Sequence, residues 1–154
     1  MIQAIQHTNM TDHNPETPTP QRLVWTPKLV KQFWDGFSAT RLTELSFGRN
    51  NAEGFHLAVY PYLPAKARIL DFGAGDGDIA AHLLQQGHQV AVFEPSGERS
   101  EKLHSKCARY NGFLGTVSGD EQQTFNVVLA LEVLEHVLDD EMDAALARIH
   151  GMIE

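Results

Sequence analysis

One stretch constrains this chain more than any other: Arg68-Ile69-Leu70-Asp71-Phe72-Gly73-Ala74-Gly75-Asp76-Gly77-Asp78-Ile79-Ala80. A short apolar run ends in an aspartate, three glycines alternate with other residues, and an amphipathic pattern begins. That order predicts a buried strand turning tightly into a helix, with nucleotide-sized room above the turn. Glycine tolerates positive φ there and lets a ligand reach backbone that a Cβ would shield. The first turn of the helix aims its free N–H groups at the same space.

The rest of the chain alternates around this turn. The helix after the glycines buries Ile79, Ala80, Leu83 and Leu84 and stops at Gly87, a residue suited to a C-terminal cap. The run Gln89-Val90-Ala91-Val92-Phe93-Glu94 predicts a second buried strand with a carboxylate at its tip. A helix over 97–110 follows, carrying Leu103, Cys107 and Tyr110 on one face, which makes Cys107 a small core residue. A short strand over 113–117 leads to the polar turn Ser118-Gly119-Asp120-Glu121. The run 125–131 is apolar on both faces, as a central parallel strand requires, and 139–153 repeats with helical spacing. Such alternation implies an α/β architecture, a Rossmann-like doubly wound parallel sheet with helices on both faces. Ligands of these sheets sit outside the carboxyl ends of the strands.

Ahead of the sheet, residues 1–22 are polar and hold Pro15, Pro18 and Pro20, reading as a flexible arm. Thr26-Pro27 predicts a capped helix start, and Leu29, Val30, Phe33, Trp34 and Phe37 recur at helical spacing to about Ser38. Gly48-Arg49-Asn50-Asn51 breaks the pattern, so a second helix is expected over 52–60. The chain thus divides into the arm, a helical lid or extension over 23–64, and a nucleotide-binding domain over 65–154.

A net charge of -8 argues against a duplex nucleic acid partner, which needs clustered Lys and Arg. The single Cys107 permits no internal disulfide, and no apolar run is long enough to span a membrane. A cytoplasmic protein with no membrane partner is the expectation.

Two cofactor types suit a glycine turn with an acid about twenty residues on. The dinucleotide fingerprint places a third glycine where this chain has Asp78, and Asp76 and Asp78 would face a pyrophosphate. A nicotinamide-dependent dehydrogenase is therefore the lesser reading. No Gly-Lys-Ser/Thr follows, which excludes a P-loop. S-adenosylmethionine carries a cationic sulfonium and no phosphate, and an acid-rich loop suits it. Asp71-Phe72-Gly73-Ala74-Gly75-Asp76-Gly77 resembles the first motif of class I S-adenosylmethionine-dependent methyltransferases. The run Phe125-Asn126-Val127-Val128-Leu129-Ala130-Leu131-Glu132-Val133-Leu134-Glu135-His136-Val137 resembles that family's fourth-strand motif, with Asn126 where Asp is usual.

The resemblance implies cofactor roles for Asp71, Gly73, Ala74, Gly75, Gly77 and Leu131 around the methionine portion. It implies Glu94 on the ribose hydroxyls, Pro95 and Ser96 beside the adenine, and Asp120 (or its neighbour Glu121) at the adenine amino group. It also implies S-adenosylhomocysteine as product and a small-molecule methyl acceptor. His136 is the candidate base. Glu132, Glu135 and His136 could share one helical face as a divalent-metal site, although many metal-free members share the pattern. The resemblance covers about four strands of the family's larger sheet, so the C-terminal part looks absent, with self-association through an open sheet edge as one consequence. A noncatalytic module with the same fold is the alternative to an enzyme.

Overall fold

The computed structural model describes residues 24–118 and 123–154; the predicted arm lies outside the described residues. Helix α1, Pro27–Ser38, starts as its cap predicts, with Thr26 Oγ1 accepting the Leu29 N–H at 3.3 Å. A short 3₁₀ turn, Arg41–Leu45, leads into α2, Phe47–Val59. Helix α2 therefore begins before the predicted break, and Gly48, Arg49, Asn50 and Asn51 lie inside it. Ser46 caps it, while the Asn50 and Asn51 amides donate to the Ser46 and Phe47 carbonyls, each at 3.1 Å. Residues that usually compete with a helix here bond within it.

Strand β1, Arg68–Phe72, is followed by α3, Asp78–Gln85, then β2, Gln89–Phe93, and α4, Gly97–Cys107. Strand β3, Phe113–Thr116, β4, Val127–Leu129, and α5, Met142–Gly151, complete the order. The four described strands pair in parallel in the order β3-β2-β1-β4, with β1 between β2 and β4. This is the doubly wound parallel architecture that the alternation predicts.

Alternate β1 residues serve different layers. Ile69 packs with Val90, Val92, Leu83, Leu103 and Cys107 on the α3–α4 face, while Leu70 and Phe72 pack with Ala91, Phe125 and Met152 on the other. Cys107 is fully buried, and burial pushes its thiol up to about 11, as an inert core residue requires.

Strand β4 departs from expectation. It covers only Val127–Leu129, is half-buried throughout, and is the edge of the described sheet rather than a central strand. Its base is tied instead to the end of α5, through a bridge between Phe125 and Ile153 and a bond from Asn126 Nδ2 to Glu154 at 3.0 Å. No helix among the described residues is long and apolar enough to cross a membrane.

Candidate functional site at the carboxyl ends of the strands

The glycine turn closes onto the neighbouring strand. Gly73 and Ala74 both donate their N–H groups to the Phe93 carbonyl, at 2.8 and 3.0 Å. Gly73, Gly75 and Gly77 all have positive φ, at 78°, 56° and 73°. A Cβ on Gly73 would stand 2.5 Å from a Val133 methyl, so this position also needs glycine for space.

Glu94, just past the tip of β2, holds the turn. Its carboxylate accepts the Gly75 N–H at 2.8 Å and the Ser96 N–H at 2.9 Å. Burial raises its pKa above the ordinary carboxylate range, opposed by the Ser96 N–H, the Arg99 charge and the Gly75 N–H. A carboxylate offers about four lone-pair sites, so two bonds to backbone leave room for two hydroxyl donors.

Above these groups lies a cavity of about 400 Å³. Phe72, Gly73, Phe93, Glu94 and Pro95 form its floor, and Glu132, Val133 and His136 form one side. Trp34 and Val30 of α1, Arg99 of α4, Val137, Glu141, and Ala144, Ala145 and Arg148 of α5 complete it. The cavity stands at the strand carboxyl ends, where doubly wound sheets bind ligands. The aromatic stripe of α1 contributes its Trp34 here, with the ring edge-on to His136 at 4.8 Å between centroids.

The other predicted site residues are distributed around this cavity. Asp71 is buried beneath the loop, not on the cavity wall; its pKa is pushed up to about 7, chiefly by burial, and Oδ2 has no partner. Ala74 and Leu131 pack against the α3–α4 core. Gly77 lets α3 and α4 approach, since a Cβ there would meet Leu103 at 3.1 Å. Ser96 is buried and its hydroxyl bonds to Asp35 of α1 at 3.1 Å. Asp120 and Glu121 lie outside the described residues.

The Glu132, Glu135 and His136 cluster does not occupy a helical face. Glu132 has φ 53°, and only Leu134–His136 form a single 3₁₀ turn. Glu132 and His136 line the cavity and Glu135 turns to a neighbouring groove. Among the described residues no three His, Cys, Asp or Glu side chains gather to hold a metal.

The sequence places Asp76 and Asp78 where they would face a pyrophosphate. Both are paired by α4: Arg99 Nε meets Asp76 at 3.1 Å and Lys106 Nζ meets Asp78 at 2.8 Å. Repulsion of a phosphate by this loop is therefore weaker than the sequence suggests. Arg99 itself was not singled out, though it stands one turn into the helix that leaves Glu94. That spacing is the signal which could have found it.

A family profile described as a methyltransferase domain matches residues 45–154. A ubiquinone biosynthesis O-methyltransferase from Methylocella silvestris is 39% identical over 80 residues, which is 47% of this chain and 30% of that protein. The chain thus spans under a third of the length of that curated relative. Among solved structures, the 1,6-didemethyltoxoflavin-N1-methyltransferase of Burkholderia thailandensis superposes with a TM-score of 0.63 at 23% identity, covering 88% of this chain and 63% of that one. The magnesium protoporphyrin IX methyltransferase of Synechocystis gives 0.63 at 15% identity, covering 88% of this chain and 75% of that one. These superpositions establish the fold.

Proposed function

The chain belongs to the methyltransferase-domain family, and from that premise we propose that it binds S-adenosylmethionine and methylates a small-molecule acceptor. The observation that carries this reading is Glu94, a carboxylate fixed by two backbone N–H groups on the floor of the cavity. Its spare lone pairs suit the two hydroxyls of a ribose, in charge-assisted bonds. Pro95 beside it offers an apolar wall for an adenine. Gly73 gives a ligand access to the backbone, and Asp71 steadies the loop from below, accepting from the Ala80 N–H. The bound cofactor supplies an electrophilic methyl group.

The chain's own part in transfer is alignment more than acid–base chemistry. Val30, Trp34, Val137, Ala144 and Ala145 give the cavity an apolar wall that suits an organic acceptor and excludes water. His136, on that wall beside Trp34, is placed to take the proton of an acceptor hydroxyl. That the Methylocella silvestris relative is a ubiquinone biosynthesis O-methyltransferase supports an oxygen acceptor.

Isothermal titration with S-adenosylhomocysteine tests the cofactor assignment. Binding that weakens at least about tenfold in Glu94→Ala is expected, from the loss of a charge-assisted pair. Binding of NAD in its place would overturn it. For the chemistry, His136→Ala should leave that affinity within a factor of about two while turnover on a hydroxylated acceptor falls about 10²-fold or more.

A further inference from the structure

Of the three glycines in the turn, Gly73 lines the cavity and Gly75 does not. The reason is Arg99. A Cβ built on Gly75 would stand 2.6 Å from Arg99 Nη2 and 3.3 Å from Cζ, so the guanidinium covers that glycine's backbone. Arg99 is held there from two other sides: Nε bonds Asp76 Oδ1 at 3.1 Å, and the guanidinium lies over the Trp34 ring, 5.5 Å from its centroid. Buried as a residue, it still forms part of the cavity wall. One side chain of α4 therefore brackets the glycine turn and the lid helix together. Hydrogen bonds also join α1 to Ser96 at the cap of α4 (Ser96 to Asp35) and to α4 itself (Lys102 to the Ser38 carbonyl), each at 3.1 Å, and neither touches the turn.

We propose that Arg99 is a latch: for a ligand to seat on the backbone of Gly75, the guanidinium must leave that glycine, and in leaving it gives up the face of Trp34. This rests on the cofactor reading above and deepens it. The chemistry favours exchange over a clamp. Arg99 is a cation over the Gly75 backbone and the Trp34 face and close to Glu94, places that the cationic amino group shared by S-adenosylmethionine and S-adenosylhomocysteine would also take. Ligand and latch compete for one set of groups. Breaking the latch in advance removes that competition, as any shift of a population toward its binding-competent form does.

The test uses a Trp25→Phe background, which leaves Trp34 as the remaining one of the chain's two tryptophans. S-adenosylhomocysteine is titrated by calorimetry and by tryptophan emission, without and with Arg99→Met. The background protein should bind with a change in Trp34 emission. Arg99→Met should bind about tenfold tighter, the equivalent of one charge-assisted contact no longer broken, and its emission change should be lost. Unchanged or weaker affinity in Arg99→Met, or an undiminished emission change, overturns the latch and makes Arg99 a clamp or a structural pair. Should Arg99→Met not fold, Asp76→Asn decides alone, because it frees the guanidinium without removing it: tighter binding supports the latch, equal or weaker binding overturns it. Failure of the background protein to bind at all is a different result, which removes the cofactor reading and the latch with it.

Discussion

Asp71, one residue before the end of β1, has one carboxylate oxygen that receives no hydrogen bond. Burial and, to a smaller extent, Glu94 raise its pKa from 3.8 to about 7, against one bond from the Ala80 backbone. The folded chain therefore holds this proton more tightly than the unfolded chain. Its contribution to stability is full below pH 3.8 and is lost as pH rises through about 7. At about pH 8 Asp71→Asn should stabilise the ligand-free protein by on the order of 1 kcal/mol or more, and the gain should shrink toward about pH 5. Urea unfolding at the two pH values reads this directly. Gly73→Ala should do the reverse at any pH, because its φ of 78° and the Val133 methyl both oppose a Cβ. A loss of about 2 kcal/mol is expected in the same measurement. At this scale the sequence was half legible. The acid–glycine pattern announces itself over a few residues, whereas the partners of Asp76 and Asp78 come from α4, and no local pattern pairs Asp76 with Arg99.

Among the elements, α2 and α3 meet through imidazoles. His56 of α2 lies 5.0 Å from His82 of α3 and 6.3 Å from His88 before β2, ring centroid to centroid, with Tyr60 at 5.3 Å. His56 Nδ1 and His82 Nε2 are buried without partners, while His88 Nδ1 accepts the Ala67 N–H at 3.1 Å. Burial, then the nearby His56, lowers the pKa of His82 and of His88; Glu53 opposes this at His82. Depressed histidines stabilise the fold above their unfolded pKa of about 6.5 and cease to do so as pH falls through the folded values. Thermal melts in the Asp71→Asn background, which removes the more strongly shifted of the two opposing carboxyls (Glu94 is the other), should show Tm falling from about pH 7.5 to 5.5, and less so in His82→Leu. Element boundaries show where sequence reasoning ran short. Pattern alone located β1, β2 and both ends of α1, since burial and capping there are local. It misplaced the start of α2, where asparagine amides bond back into their own helix. It made β4 central because an apolar run looks alike whether a neighbouring strand or a helix covers it. Here Ile149 of α5 and Met152 just after it share one apolar cluster with Val128 of β4 and Phe125.

For the molecule as a whole, the two ends of the sheet are built differently. At the carboxyl ends, the cavity draws on β1, β2, the segment after β4, α1, α4 and α5. At the amino ends, Arg68 is laced to Gln123 and Thr124, and the Arg68 N–H to Asn126, at 2.9 to 3.0 Å. Hydrogen bonds thus tie the amino end of β1 to the segment that leads into β4. Hydrogen exchange should be slowest in β1 and β2 and faster in α1, whose Phe33, like Trp25 just ahead of the helix, remains about half exposed. Cofactor binding should slow exchange in α1 and the glycine turn more than at Arg68, and uniform slowing would argue against a separate lid.

The strand order carries a last consequence, in time rather than in space. Strand β1 pairs first with β2, about twenty residues on, and also with β4, nearly sixty residues on, at Ile69 with Val127. Closing the longer loop costs more chain entropy before any contact rewards it. The β1-α3-β2 unit should therefore assemble first and β4 dock onto it late. Pulse-labelling during refolding would show protection in β2 ahead of β4. The side of the cavity that carries His136 would then form after the glycine turn.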